Sequence, residues 1–299
     1  MSGDTGKERS YVVGQAVFAA RPLPPALYLV ATPIGNLSDI TIRALETLAA
    51  ADILACEDTR VTRVLLARYG ISRRMSAYHE HNAAEAGPKL VEAILAGRSV
   101  ALVSDAGTPL VSDPGYRLVE EVVAAGGTVV PIPGPSALIA ALTASGLPSD
   151  TFLFAGFLPV KAGQRRTRLE ELKAVPATLL FYESPRRLAE ALAAMAGVLG
   201  DRPAAICREL TKTFEEVRRG PLAALAEAYA GEETPKGEIV VCVGPPLPQE
   251  ASAEDVDALL LSLGAELGAS KAAAEVAKMT GARKADLYRR LMALKGDGG

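Results

Sequence analysis

Residues 100–115, VALVSDAGTPLVSDPG, decide the fold. Val100-Ala101-Leu102-Val103 is a short, unbroken apolar run rich in β-formers and reads as a buried strand. It breaks at Ser104-Asp105-Ala106-Gly107-Thr108-Pro109. A helix then opens at Asp113-Pro114, with Asp at the cap and Pro in the first turn, and closes at Gly126-Gly127. A loop of small residues with one carboxylate at the end of a parallel strand lets backbone approach a ligand closely. Ligands of open α/β sheets bind at that end. One such loop is equally a tight connection; its recurrence gives it weight.

Upstream, the stretch from Leu27 to Thr32 reads as a strand ending in Thr32-Pro33-Ile34-Gly35-Asn36. Ser38-Asp39 then caps a helix with Ile42, Leu45 and Leu48 on one face. A strand from Asp52 to Cys56 ends in Glu57-Asp58-Thr59-Arg60, and a third, Met75 to Tyr78, ends in His79-Glu80-His81-Asn82. Downstream, a fifth strand from Thr128 to Ile132 ends in Pro133-Gly134-Pro135-Ser136 and feeds a helix that stops at Gly146. Strand, polar loop and helix in five successive turns predict an α/β domain with a parallel sheet over 26–147. Its five loops should gather along one edge.

A second α/β domain is expected over 148–244. It has strands at 151–157, 178–182, 203–207 and 238–243, a basic helix at 161–173, and a hairpin strand at 215–219. Residues 245–253 read as a linker, and 254–299 as a small helical segment with a helix-turn-helix-like pattern. In that segment Ala273, Val276 and Met279 share one face, Gly281 marks the turn, and Leu287, Leu291 and Leu294 share the next face. Residues 270–295 hold seven basic side chains against two acidic ones. Residues 1–25 read as a disordered tail: the apolar run at 11–20 is interrupted by Gly14-Gln15, and acids precede it.

With 299 residues the chain can fill two cores, and much of its 49% hydrophobic content is alanine. No stretch reaches the ~18 unbroken apolar residues of a membrane span. Three widely spaced cysteines fit a reducing, cytoplasmic setting. A net charge of −3 does not advertise a nucleic-acid binder, though local basic patches remain open. The glycine fingerprint of a dinucleotide site is absent after the first strand, so Glu57 and Asp58 do not read as a nicotinamide ribose clamp. His79 and His81 lack further ligands at zinc spacing, and no metal is expected.

The motifs ATPIGNLSDIT (31–41), CEDTR (56–60), HEHN (79–82), SDAGTPLVSDPG (104–115) and PGPSA (133–137) occur in order. FAGFLP (154–159), FYESPRR (181–187) and RELTKTFEE (208–216) follow them. Together they resemble the ribosomal RNA small subunit methyltransferase I group, of tetrapyrrole-methylase fold. The resemblance implies two α/β domains with S-adenosylmethionine in the cleft between them, and a homodimer. It implies 2′-O-methylation of a decoding-region cytidine of 16S rRNA, within the 30S subunit. On that reading Pro33, Gly35, Asn36, Asp105, Ala106, Gly107, Thr108, Pro133, Gly134, Pro135 and Ser136 would line the cofactor.

A 2′-hydroxyl is a weak nucleophile, so a group must accept its proton. Glu57, Asp58, His79, His81, Asp105, Lys212 and Glu216 are unranked candidates. Asp105 is equally a cap of its own loop, and Glu57 equally a partner of Arg60. Arg60, Arg186 and Arg187 suit phosphate, which arginine grips with two bonds; His81, Asn82 and Glu183 are further substrate candidates. The rival expectations are a precorrin C-methyltransferase of the same fold and a non-enzymatic rRNA-binding assembly factor.

Overall fold

The computed structural model describes residues 9–111, 115–247 and 253–296. The chain divides into two compact units, 1–245 and 246–299. The expected helix cap at Asp113-Pro114 lies outside the described residues.

The first unit opens with a hairpin of β1 (Ser10–Val13) and β2 (Ala16–Ala19). There follow β3 (Ala26–Val30), α1 (Ile42–Ala50), β4 (Ile53–Cys56), α2 (Thr59–Arg68) and β5 (Met75–Ala77). Next come α3 (Ala83–Leu95), β6 (Ser99–Val103), α4 (Tyr116–Ala124), β7 (Val129–Ile132) and α5 (Ala137–Ser145). The sheet order is β5-β4-β6-β3-β7, and every pairing is parallel. The apolar run at 100–103 is unbroken because both faces are covered. Val100 and Leu102 pack beneath α3 and α4, while Ala101 and Val103 pack beneath α1 and α2.

Three expectations need correction here. Residues 10–19 form a hairpin rather than a disordered tail. Tyr11 is buried in the core beside α1, Val12 N–H bonds to Tyr69 O at 2.8 Å, and Arg9 pairs with Asp52 at 2.7 Å. The cap of α1 is Thr41, whose Oγ1 accepts from Ala44 N–H at 3.1 Å; Ser38 and Asp39 belong to a preceding 3-10 turn. That shift leaves Ile42 exposed while Leu45 and Leu48 stay buried.

The second half of this unit contains β8 (Phe152–Phe157), α6 (Ala162–Leu172), β9 (Thr178–Glu183), α7 (Leu188–Leu199), β10 (Pro203–Arg208), β11 (Glu216–Pro221), α8 (Leu222–Gly231) and β12 (Ile239–Val243). Its sheet order is β11-β10-β12-β9-β8, with β8 and β9 parallel and the rest antiparallel. One face buries Leu179, Phe181, Ile206 and Val241 against α6, α7 and α8. The other meets α5: Leu138, Ala141 and Leu142 pack with Leu180, Ala205, Val240 and Cys242. Ile34 and Val111 of the first half join the same cluster, while Ile139 and Thr143 of α5 stay exposed. The helix joins the two halves.

The second unit has α9 (Ala253–Glu266), α10 (Ala269–Thr280) and α11 (Lys284–Gly296). Leu260, Ala272, Ala273, Val276, Leu287 and Leu291 form its core. Gly281 ends α10 in the left-handed conformation, as the turn reading requires. Met279 is exposed, because Ala272 rather than Met279 completes the buried face.

Candidate active site

A cavity of about 540 Å³ opens where the carboxyl ends of β3, β4, β6 and β7 meet the second sheet. The first half contributes Ile34, Glu57, Asp105, 106–108, Val111 and Ser136-Ala137. The second contributes Phe157, 182–185, Cys207, Leu210 and 237–240. A smaller cavity of about 390 Å³ shares Ile34, Asp105, Ala106 and Glu238 with it and adds Pro33, Gly35 and Lys212. Four of the five strand-end loops therefore converge. The loop after β5, at the sheet edge, lines neither cavity. It closes on itself: His79 N–H donates to Asn82 Oδ1 at 2.8 Å, and Asn82 Nδ2 donates to Ala77 O at 3.0 Å. His79 and His81 stand edge-on at 6.0 Å.

Asp105 accepts from Asp58 N–H at 3.0 Å, so it ties two loops together rather than capping its own. Partial burial, countered by that bond, leaves its carboxyl more basic than usual. Asp58 caps α2 by accepting from Arg60 N–H at 2.7 Å, and it pairs with the Arg60 guanidinium at 2.5 Å. Arg60 holds the Asp58 carboxyl down at about 2, which makes it a poor proton acceptor. The partner of Arg60 is thus Asp58, not Glu57.

Gly107 exchanges both backbone hydrogen bonds with Thr32, at 2.9 and 3.0 Å, so it offers the cavity surface rather than free polar groups. Thr108 Oγ1 donates to Pro135 O at 3.2 Å. Pro133, Gly134, Pro135 and Asn36 line neither cavity, and Asn36 caps its own turn by accepting from Ser38 N–H.

In the second half, Lys212 Nζ reaches Glu209 Oε1 at 2.7 Å and Glu238 Oε2 at 3.0 Å. Burial opposes its charge, but the two carboxylates outweigh burial and raise its pKa. Both contacts favour its charged form. Glu216 is occupied by Arg208 at 3.0 Å. Glu183 is buried, with Oε1 accepting from Ser184 N–H at 2.8 Å and Oε2 without a hydrogen-bond partner among the described residues. Burial raises its pKa despite that bond and the nearby Arg187. Arg187 donates to Leu158 O at 2.5 Å and so braces a loop, whereas Arg186 is exposed. The motif reading missed Phe157, Tyr182, Leu210 and 237–240, although strands were anticipated at or beside all of these but Leu210. Facing the cavity depends on sheet pairing that motifs do not carry.

Residues 26–226 match the family model of tetrapyrrole (corrin/porphyrin) methylases, and 250–295 match the RsmI C-terminal HTH domain. Solved structures of cobalt precorrin-4 methyltransferase and diphthine synthase superpose with TM-scores of 0.54 and 0.59. They are 19% and 18% identical, each covering 73% of this chain and 94% and 90% of theirs, and show the fold alone. Ribosomal RNA small subunit methyltransferase I of Mesorhizobium japonicum is 72% identical, over 96% of this chain and all of that one. That of Pseudomonas aeruginosa is 48% identical, over 90% and 98%. The chain belongs to the ribosomal RNA small subunit methyltransferase I family.

A member of this family is a methyltransferase, and its donor is S-adenosylmethionine. The residues present fit that molecule. Among the described residues no Lys or Arg lines the larger cavity, while Glu57, Asp105, Glu183 and Glu238 do. A donor carrying sulfonium and ammonium charges suits such a wall. The orphaned Glu183 oxygen awaits a hydrogen-bond donor, since a buried acceptor left unpaired is costly. Among the described residues no helix is long and apolar enough to cross a membrane.

Proposed function

We propose that this enzyme methylates the ribose 2′-oxygen of a cytidine in the decoding region of 16S rRNA, on the 30S subunit, as a cytoplasmic homodimer. The observation that carries the reading is identity of 72% along the full length of a relative named for small-subunit rRNA methylation. The match of 250–295 to a domain named for the same group adds to it. The precorrin alternative has the broader tetrapyrrole-methylase model and fold likeness below 25% identity behind it, and no relative of comparable identity.

When bound, the cofactor supplies a methyl group already activated on a positively charged sulfur, so positioning supplies much of the rate. Ile34, Leu210 and Val240 exclude water, and the buried Glu183 oxygen would hold a donor of the cofactor. Asp105 is the proton acceptor this geometry favours. It borders both cavities, its pKa is raised, and the Asp58 N–H fixes one of its oxygens. Asp58 is held too acidic and Lys212 too firmly charged for that role.

Incubation with methyl-labelled cofactor and unmodified 30S subunits tests the reading. Nuclease digestion should return the label on the ribose of one cytidine. Label on a base carbon would overturn the ribose assignment, and transfer to a precorrin but not to 30S would overturn the substrate class.

A further inference from the structure

Strand β8 ends in a defect that changes the side on which its last residue stands. Phe154 pairs with Leu180 and Phe157 with Tyr182, three steps on one strand against two on the other. Side chains alternate along a strand. Leu153 and Ala155 pack into the closed core under α6, α7 and α8, and Phe154 into the layer shared with α5. Unbroken alternation would send Phe157 into the closed core after Leu153 and Ala155. The extra residue instead returns it to the face of Phe154. Gly156 makes this possible at φ 68°, where a side chain would be strained. Both rings then meet Tyr182 edge-on, with centroids at 4.8 Å for Phe154 and 5.7 Å for Phe157. Phe157 nevertheless stays 54% exposed while lining the larger cavity, so it stands at the rim.

Cations accompany it. The bond from Arg187 to Leu158 O fixes the 3-10 turn Pro185–Arg187 against the residues that follow Phe157. Exposed Arg186 in that turn and exposed Lys161, four residues past Phe157, put charge on the two segments this bond joins. An open aromatic face with flanking cations is the make-up of a single-strand RNA groove. A ribose presented to a cavity belongs to a base that has left its stack, and an aromatic face replaces the stacking it loses. Resting on the rRNA reading above, we infer that Phe157 is the stacking platform for the base of the target nucleotide. Adenine of the cofactor has the same ring chemistry, but Phe157 stands at the exposed rim, and the buried lining of Ile34, Leu210 and Val240 offers adenine an aliphatic surface away from it.

The chain has no tryptophan, so Phe157→Trp introduces a single indole reporter. Its fluorescence should be quenched by unmodified 30S subunits and hardly at all by S-adenosylhomocysteine. Phe157→Ala should raise KM for 30S by about tenfold or more, the scale of one base–aromatic stack, with cofactor affinity unchanged by calorimetry. Phe157→Tyr should restore KM. Full quenching by the cofactor product alone would make adenine the occupant and overturn the inference. So would an unchanged KM in Phe157→Ala while the wild type transfers methyl to 30S. A changed sedimentation coefficient in Phe157→Ala would make a second copy of the chain the occupant and would overturn it as well. A wild type that transfers no methyl to 30S would remove the functional reading itself, and this one with it.

Discussion

Glu183 closes β9 with one carboxylate oxygen on the Ser184 N–H and the other without a hydrogen bond among the described residues. Burial is the largest influence on it and raises its pKa. The native carboxyl therefore holds its proton to higher pH than an unfolded glutamate, near ~4.3, would. The fold penalises the ionised form, so this group's contribution to stability improves as pH falls from above the native pKa and levels off below the unfolded value. Glu183→Gln removes the penalty. Its urea midpoint at pH 8 should equal or exceed that of the wild type, with the difference shrinking towards pH 5. Its affinity for S-adenosylmethionine should fall by about tenfold, the scale of a lost charge-assisted hydrogen bond. A midpoint well below wild type at pH 8 would mean that pairing with Arg187 outweighs burial. Unchanged cofactor affinity would take Glu183 out of the site. At this scale the sequence was only partly legible. FYESPRR brought Glu183 and the arginines into view, but Arg187 spends its guanidinium on a carbonyl 29 residues earlier, and no motif carries that contact. The choice of Asp58 over Glu57 as partner of Arg60 was nearer to reach, since an Asp just before a helix is a cap by type.

Two loops that are distant in sequence lock together at Gly35 and Lys212. A β-carbon on Gly35 would lie 2.4 Å from Lys212 Cγ, so the lysine stem crosses the glycine and reaches Glu209 and Glu238 beyond it. Gly35→Ala should displace that stem, destabilising the protein by about 1–3 kcal/mol as overpacking does. In a Lys212→Ala background the stem's share of that cost is gone, and the strain of a side chain at φ 152° is what remains. A double-mutant cycle in urea measures this, and additive costs would show that the two loops are not coupled. The strand-end loops themselves were legible because small residues and prolines mark them. Their pairing was not, because it depends on α5 seating the first sheet's loops against β10 and β12. The hairpin of β1 and β2 did leave a trace: Gly14-Gln15 between two β-rich runs is a two-residue turn with glycine first. The bulge in β8 left less, since a glycine inside a strand points to a bulge without saying which side chain it turns.

At the scale of the molecule, the sheets and the break before the C-terminal helices were readable from composition, but the charge balance of those helices was not. The excess over 270–295 meets α9 in the folded unit. Arg290 pairs with Asp257 of α9, while Lys278 and Arg289 pair with Glu275 and Asp286. Over 253–296 there are seven basic and six acidic residues, so the unit is nearly neutral. Lys271, Arg283 and Lys284 are exposed and stand outside those three pairs, Arg283 in the turn before α11 and Lys284 at its first position. Attraction to phosphate would thus come from about three side chains rather than seven. Because each unit has its own core, a chain ending at Leu247 should fold and bind cofactor with unchanged affinity. Its affinity for 30S subunits should drop, and the slope of log K against log salt should become shallower by about 2, the share of three phosphate contacts on single-stranded RNA. An unchanged slope would mean that this unit does not touch phosphate. A truncated chain that unfolds would mean that the helices support the body instead. Substituting Lys271, Arg283 and Lys284 with Ala in the full chain decides between these, since it should reproduce the slope change while leaving the unfolding midpoint in place.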